Sequence, residues 1–306
     1  MKPIIRFVLI FLLSSLLYWQ VIAQNNEPIK INVNGTELHY IERGEKQGEP
    51  LILLHGGQGD YRSWSPQIEA LSQKYRVISY SRRYNYPNNN PLSPKYRTAY
   101  TEAGDLAALI RKLKLPSVHL VGTSAGALTA LVLATQYPKM VLSLVLAEPP
   151  VHHRAKVDPN GKAYYEEFMA DIWEPAAAAF KMGDEQGAMK ILVDGFGGAG
   201  RFNSLSAEAR AVAMQNSRFF RAATSSSDPF PDLSKEKVKR LRMPILILTG
   251  ENTIKLHKFV NEELARLLPK AERVTIPKAG HGSARENPQA FNEAVLKFLV
   301  KAKRAL

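Results

Sequence analysis

The sequence predicts an α/β chain: a mostly parallel central sheet flanked by helices, with a helical cap inserted after the strand that follows the Ser124 helix. Three observations predict it. Short apolar runs alternate with helical spacing as far as Ala147. Between Pro149 and about Arg240 only helical pieces occur. From Pro244 the strand–helix alternation resumes. Strands alternating with helices argue for a parallel sheet covered on both faces.

The elements follow in order. Ile29–Val33 and Leu38–Ile41 alternate apolar and polar residues around Asn34-Gly35, the pattern of a β-hairpin. Leu51–Leu54 is a continuous apolar run, as a strand buried on both faces requires. A helix is expected over Trp64–Leu71, a strand over Tyr75–Tyr80 and a polar loop over Asn85–Pro94. Thr101 opens a helix that runs through Leu106, Ile110 and Leu113. Ser117–Val121, Ala125–Tyr137 and Val141–Ala147 read as strand, helix and strand. In the insertion, helical spacing covers Ala163–Met182, Glu185–Val193 and Ala207–Ala222, with breaks at Gly195–Gly200 and Ser225–Pro231. Then come a strand at Pro244–Thr249, a helix at His257–Leu268, a strand at Arg273–Ile276 and a closing helix at Pro288–Val300. The expected division is a core of residues 28–148 and 241–306 and a cap of residues 149–240.

Length and composition fit this plan. A chain of 306 residues suits one large domain or a core with an insertion. A hydrophobic fraction of 45% with 23% charged residues excludes collagen-like, coiled-coil and largely disordered classes. The formal net charge of +13 is spread over positions such as Lys235, Lys237, Lys239, Arg240, Lys297, Lys301, Lys303 and Arg304. No long basic run is interleaved with aromatic residues, so nucleic acid is not the expected partner.

The N-terminus has its own logic. Lys2 and Arg6 precede the apolar stretch Phe7–Leu13, followed by Leu16-Leu17-Tyr18 and Val21-Ile22-Ala23, then polar Gln24–Glu27. This layout is that of a secretory signal peptide over residues 1–23, cleaved after Ala23, which places the mature chain in a secreted or periplasmic compartment. The alternative is an uncleaved anchor, the one arrangement that would hold the chain at a membrane; its apolar stretch is near the lower limit of about 17 residues. The sequence has no cysteine, which excludes a lipoprotein attachment site, a disulfide and a thiol nucleophile.

The chemistry centres on Gly122-Thr123-Ser124-Ala125-Gly126, set between a strand and a helix. A sharp strand-to-helix reversal lifts the serine above the sheet edge, and the helix N-terminus offers free N–H groups to developing negative charge. A serine hydroxyl needs an adjacent base, and the base an orienting carboxylate. Of the seven histidines, His281 in Ala279-Gly280-His281-Gly282 follows a late strand and is the expected base. His119 lies inside a strand, His39 on the hairpin, and His257 on or beside an expected surface helix. His152 and His153 open the insertion and are placed to line a pocket. The loop His55-Gly56-Gly57-Gln58-Gly59 follows an early strand. Gly57 and Ala125 are the expected backbone donors of an oxyanion hole, and the His55 side chain is expected to be packed.

These segments, His55-Gly56-Gly57, Gly122–Gly126 and Gly280-His281 with Glu286-Asn287-Pro288, make the chain resemble the α/β-hydrolase fold superfamily, its cap-bearing serine hydrolases above all. The resemblance covers about Ile29 to Val300 and implies a Ser–acid–His triad beneath a helical cap. The acid departs from the usual pattern. Relatives commonly carry it as the last residue of G-x-x-Asp after the penultimate strand, where this chain reads Gly250-Glu251-Asn252-Thr253. Two candidates remain: Glu251, two positions early, and Glu148, at the end of the strand after the nucleophile helix. Some cap-bearing relatives place the acid at that earlier strand, and a glutamate before Pro149-Pro150 is an odd choice for packing alone, since buried carboxylates need partners. Glu148 is preferred, with Glu251 in reserve.

A serine nucleophile argues against the dehalogenase and epoxide hydrolase chemistries of this fold, which use aspartate. Gln58 stands where proline iminopeptidase relatives often carry proline, which argues against a peptidase. The expectation is a serine hydrolase that cleaves an ester, lactone or related acyl bond of a small, largely apolar substrate through an acyl-enzyme. The alternatives are carbon–carbon bond hydrolysis on the same scaffold and a noncatalytic binding protein of this fold. Phe168, Met169, Trp173, Phe180, Met182, Phe196, Phe202, Met214, Phe219 and Phe220 are candidates to line the pocket, although most such positions pack cap helices. Arg82 and Arg83 either bind an anionic substrate group or anchor the Asn88–Asn90 loop. No cofactor is expected, and seven scattered histidines without paired spacing do not predict a metal site.

Overall fold

A computed structural model describes residues 27–305; the expected signal peptide lies outside the described residues. The strands are β1 (Ile29–Val33), β2 (Thr36–Arg43), β3 (Pro50–Leu54), β4 (Arg76–Ser81), β5 (Val118–Thr123), β6 (Val141–Ala147), β7 (Ile245–Gly250) and β8 (Glu272–Ile276). They form one sheet in the order β1-β2-β4-β3-β5-β6-β7-β8. β1 and β2 pair antiparallel, as do β2 and β4; every other pairing is parallel. The β1–β2 turn is Asn34-Gly35, both with positive φ (48° and 67°), as a two-residue hairpin loop requires.

The helices of seven residues or more are α1 (Ser65–Leu71), α2 (Thr98–Lys112), α3 (Ala125–Gln136), α4 (Lys162–Phe168), α5 (Glu174–Met182), α6 (Glu185–Gly197), α7 (Ala207–Gln215), α8 (Ser217–Thr224), α9 (Lys255–Leu267) and α10 (Pro288–Ala305). α4 to α8 belong to the insertion between β6 and β7. No helix among the described residues is long and apolar enough to cross a membrane.

Strand β3 shows why the sheet is covered on both faces. Ile52 and Leu54 pack into one apolar cluster with α2, α3 and the insertion. Leu51 and Leu53, pointing the other way, pack with Leu71 of α1 and Phe291, Val295 and Leu299 of α10. Each fully buried side chain of this kind contributes about 1.5–3 kcal/mol. A polar residue anywhere in this run would be stranded in one core or the other.

Several boundaries differ from the sequence expectation. α2 starts at Thr98 rather than Thr101: Thr101 Oγ1 accepts from Arg97 N at 3.0 Å from inside the first turn, and Thr98 Oγ1 donates to Asp228 O at 2.8 Å. The stretch expected as one helix, Ala163–Met182, is interrupted by a π-helical turn over Met169–Trp173. Gly195 does not break its helix; α6 runs on to Gly197, and the missing side chain leaves room for Ile172. The stretch Ala207–Ala222 divides at Asn216. Its buried amide donates to Asp60 Oδ2 (2.9 Å) and to Val212 O (2.8 Å), and its Oδ1 accepts from Tyr86 N (2.9 Å). The break therefore ties the insertion to the core.

All six parallel strands point their carboxyl ends to one edge. The chain order reverses about β3, with β4 on one side and β5 on the other, and open α/β sheets hold ligands at such a switch point. His55 follows β3, Arg82 follows β4, Ser124 follows β5, Glu148 follows β6, and Thr253 and His281 lie in the loops after β7 and β8.

Candidate active site

Ser124 stands between β5 and α3 with φ 50° and ψ −126°, a conformation that side-chain-bearing residues seldom adopt. Its N–H donates to Ala147 O at 2.8 Å, which pins the turn to the end of β6. The flanking glycines permit it: a Cβ on Gly126 would lie 2.2 Å from Leu54 O, and one on Gly122 2.7 Å from the Ala127 backbone. Ala125 begins α3, where first-turn N–H groups have no intrahelical acceptor.

Glu148 is the next residue after β6, and register places it. Ala147 pairs with Thr123 on one side and Leu248 on the other, so Glu148 emerges between the serine turn and the end of β7. It is 1% exposed and has φ 51°. Its Oε1 accepts from Gly250 N at 2.7 Å, and its Oε2 from Thr253 Oγ1 at 2.8 Å and His281 Nδ1 at 2.6 Å. Burial raises the pKa of this carboxyl, but the hydrogen bonds from His257 and His281 outweigh it and hold the group well below the usual carboxylate range. With Nδ1–H given to Glu148, the Nε2 of His281 carries the lone pair. Ser124, His281 and Gly57 line one cavity of about 470 Å³.

His55 is packed, as expected, at 1% exposure. Its Nε2 accepts from Arg82 N (3.1 Å) and its Nδ1 donates to Gly56 O (2.8 Å), which fixes the tautomer. Gly56 O and Gly57 N–H belong to one planar trans peptide and point in opposite directions. The buried ring therefore sets the direction of the Gly57 N–H. Asn85 Nδ2 holds the same loop by donating to Gly57 O and Gly59 O at 3.0 and 2.9 Å.

The reserve acid is not brought to the site. Glu251 is exposed and accepts from Lys278 N at 2.7 Å. Thr253, at the position where an aspartate was expected, donates to the carboxylate that reached the site from β6. Arg83 forms a two-bond pair with Asp105 (2.8 and 2.7 Å), while the carbonyls of Arg82 and Arg83 accept from Asn88 and Asn90. The backbone of this pair thus anchors the asparagine loop. Of the insertion candidates, Phe168, Trp173, Phe196, Phe219 and Phe220 line the cavity; Met182 is 79% exposed.

His257 is the residue the sequence reading misplaced. It lies on α9, but on its buried face, with Nδ1 3.3 Å from Glu148 Oε2 and 3.4 Å from Thr253 Oγ1. Its ring lies between those of His281 (centroids 4.2 Å, tilted by 35°) and His152 (5.6 Å, stacked). A signal was present: His257 stands three residues before Val260 and seven before Leu264, on the apolar stripe of the helix. Donor atoms of Glu148, His257 and His281 all lie within 4.8 Å of one another. The cluster suits hydrogen bonding better than a metal. Tetrahedral ligands at about 2.1 Å from an ion stand about 3.4 Å apart, whereas His281 Nδ1 and Glu148 Oε2 are 2.6 Å apart with a proton between them.

Four buried imidazoles, His55, His119, His152 and His257, are held below the usual histidine range, chiefly by burial. Burial, then the Arg82 charge, lowers His55 to about 3; burial, then the His281 charge, lowers His257 to about 4; burial, then the His257 and His281 charges, pushes His152 well down. In the unfolded chain each would take up a proton near pH 6.5. Below that pH the unfolded state binds more protons, so stability falls as pH falls, by on the order of 2 kcal/mol at pH 5 for each of His55 and His257. Scanning fluorimetry from pH 7.5 to 5 is expected to show Tm dropping by about 10 °C. His257→Asn should make that pH dependence shallower; an unchanged slope would assign it elsewhere.

Comparison with known proteins bears on the fold and the class of enzyme. Residues 49–288 match the family model described as the alpha/beta hydrolase fold. The putative carbamate hydrolase RutD of Caulobacter sp. (strain K31) is 26% identical over 274 residues, covering 85% of this chain and 94% of its own. The carboxylesterase YbfK of Bacillus subtilis (strain 168) is 24% identical, over 94% of this chain and 91% of its own. The crystal structure of the enol-lactonase from Burkholderia xenovorans LB400 superposes with a TM-score of 0.74 at 25% identity, covering 89% of this chain and all of that one. With family match, sheet order and sequence relatives in agreement, the chain belongs to the α/β-hydrolase fold family and is a hydrolase.

Proposed function

We propose that the protein is an exported serine esterase or lactonase working through Ser124, His281 and Glu148, with residues 149–240 as the cap over its pocket. One observation carries the reading: Ser124, on its strained turn, shares a cavity with His281, whose Nδ1 is bound to the buried Glu148 carboxylate at 2.6 Å. A carboxylesterase and an enol-lactonase among its relatives support an acyl–oxygen bond as the target.

In this mechanism His281 Nε2 takes the proton as Ser124 Oγ attacks the substrate carbonyl. Glu148 holds the ring in the required tautomer and stabilises the imidazolium. The N–H groups of Ala125 and Gly57 receive the oxyanion, the first backed by the α3 dipole and the second aimed by His55. Collapse expels the alcohol, protonated by His281, and leaves an acyl-serine. Water, activated by the same base, releases the acid. The apolar cavity wall of Phe168, Trp173 and Phe196 suits a small substrate with an apolar body.

The test is covalent. The mature protein should turn over short p-nitrophenyl esters and take up one fluorophosphonate per chain, located on Ser124 by peptide mass. A folded protein that does neither would reverse the assignment and bring forward a noncatalytic binding role.

A further inference from the structure

We infer that the substrate carries a carboxylate, received by the side chain of Arg82 in the wall of the cavity; this rests on the esterase reading above and narrows its substrate class. Arg82 is 1% exposed, yet it lines the cavity that holds Ser124 and His281. Its Nε and Nη2 are buried with no hydrogen-bond partner among the described residues. These two groups form one edge of the guanidinium, the edge that receives a carboxylate through two parallel bonds. The next residue shows that edge in use: Arg83 places its own Nε and Nη2 on the two oxygens of Asp105.

What already touches Arg82 leaves the edge unpaired. Phe219 covers the flat face of the guanidinium, with its ring centroid 4.4 Å from Cζ. The nearby carboxylate, Glu102, reaches only Nη1, at 4.0 Å, and is itself bonded to Tyr96 OH at 2.8 Å. A buried cation with two unused donors is costly unless something accepts from them. The cavity's other charges favour an anion: its charged lining side chains are Arg62, Arg82, Arg201, Arg285 and Glu286. Placement suits catalysis too. The Arg82 backbone N–H holds His55, the ring that aims Gly57, and the Phe219 ring lies against Gly57 itself. A carboxylate on Arg82 would tether the substrate beside the oxyanion loop. Two other buried side chains in the wall have unpartnered polar atoms: Trp64, whose Nε1 is a single uncharged donor, and His152, which is caged by Phe168, Phe230 and His257. As a neutral ring, His152 would meet an anion with a lone pair as readily as with a donor.

The experiment compares esters matched in shape and differing in charge. On the acyl side these are p-nitrophenyl hemiglutarate and p-nitrophenyl valerate; on the alcohol side, 4-acetoxybenzoate and its methyl ester. For wild type, kcat/KM is expected to favour the anionic member of at least one pair by about tenfold or more. Arg82→Gln should collapse that ratio by about thirtyfold, chiefly through KM, and Arg82→Lys should recover part of it. Calorimetry provides a readout without turnover: wild type should bind glutarate at least about tenfold more tightly than glutaramide, and Arg82→Gln should abolish the difference. Turnover of neutral esters with no anionic preference in either pair and no glutarate binding would overturn the carboxylate site and leave the esterase standing. Glutarate binding lost in Arg82→Gln, in a protein that hydrolyses no ester, would uphold the site and sink the esterase. Arg82→Gln lowering both members of each pair equally would make Arg82 a structural residue and overturn the inference.

Discussion

Ser124→Ala or His281→Gln, made separately, is expected to lower kcat on an activated ester by about a million-fold, and the double variant no further. The reason is that the two act as one unit. Without the base, the serine hydroxyl keeps its proton and is a poor nucleophile; without the hydroxyl, the base has nothing bound to activate. The remaining rate would come from Gly57 and Ala125 and from substrate binding, which neither change removes. Both residues lie at the cavity wall, so circular dichroism should show the fold intact. If His281→Gln kept activity within about tenfold of wild type, the base would have to be sought elsewhere, beginning with His257.

Glu148→Gln is expected to lower kcat about ten-thousandfold, while Glu251→Gln stays within about twofold of wild type. Glu148 is an acceptor on both oxygens: Gly250 N on one, Thr253 Oγ1 and His281 Nδ1 on the other. An amide has one acceptor oxygen and one NH₂ group. Turned one way, the amide of the Glu148→Gln variant presents its NH₂ to the Gly250 N–H and loses the anchor to β7. Turned the other way, it presents NH₂ to His281 Nδ1 and drives the ring to the wrong tautomer. Either way a buried donor is left unpaired, so a fall in Tm should accompany the lost activity. A collapse in Glu251→Gln instead would return the acid to the loop after β7 and refute the placement at β6.

The framework of this site was legible because its signals are local. The two strands before the glycine loop and before Ser124 announce themselves by short, mainly apolar runs, and the turn by small residues around one serine. Glu148 became visible through a departure, Thr253 where an aspartate was expected. What no one-dimensional pattern conveys is that Thr253 still reaches the site, by donating to the Glu148 carboxylate. Nor could the spacing show that Asn216 ends a helix in order to bridge Asp60 and Tyr86, since those partners lie 156 and 130 residues away. His257 is the instructive miss. Its helix carries enough lysine and glutamate to read as a surface element, and it is one; the stripe that turns inward was the part to read. Arg82 and Arg83 look interchangeable in sequence, and only their neighbours separate them: one has a buried, unpaired edge, the other Asp105.

The contact of Phe219 and Phe220 with Gly57 makes that position intolerant of any side chain: an added Cβ would lie 2.6 Å from the Phe220 ring and 2.7 Å from the Phe219 ring. The same short helix lines the cavity and stacks Phe219 on the guanidinium of Arg82. A methyl group at residue 57 would therefore have to displace the aromatic wall or shift the glycine loop, and the amide proposed to receive the oxyanion would move with it.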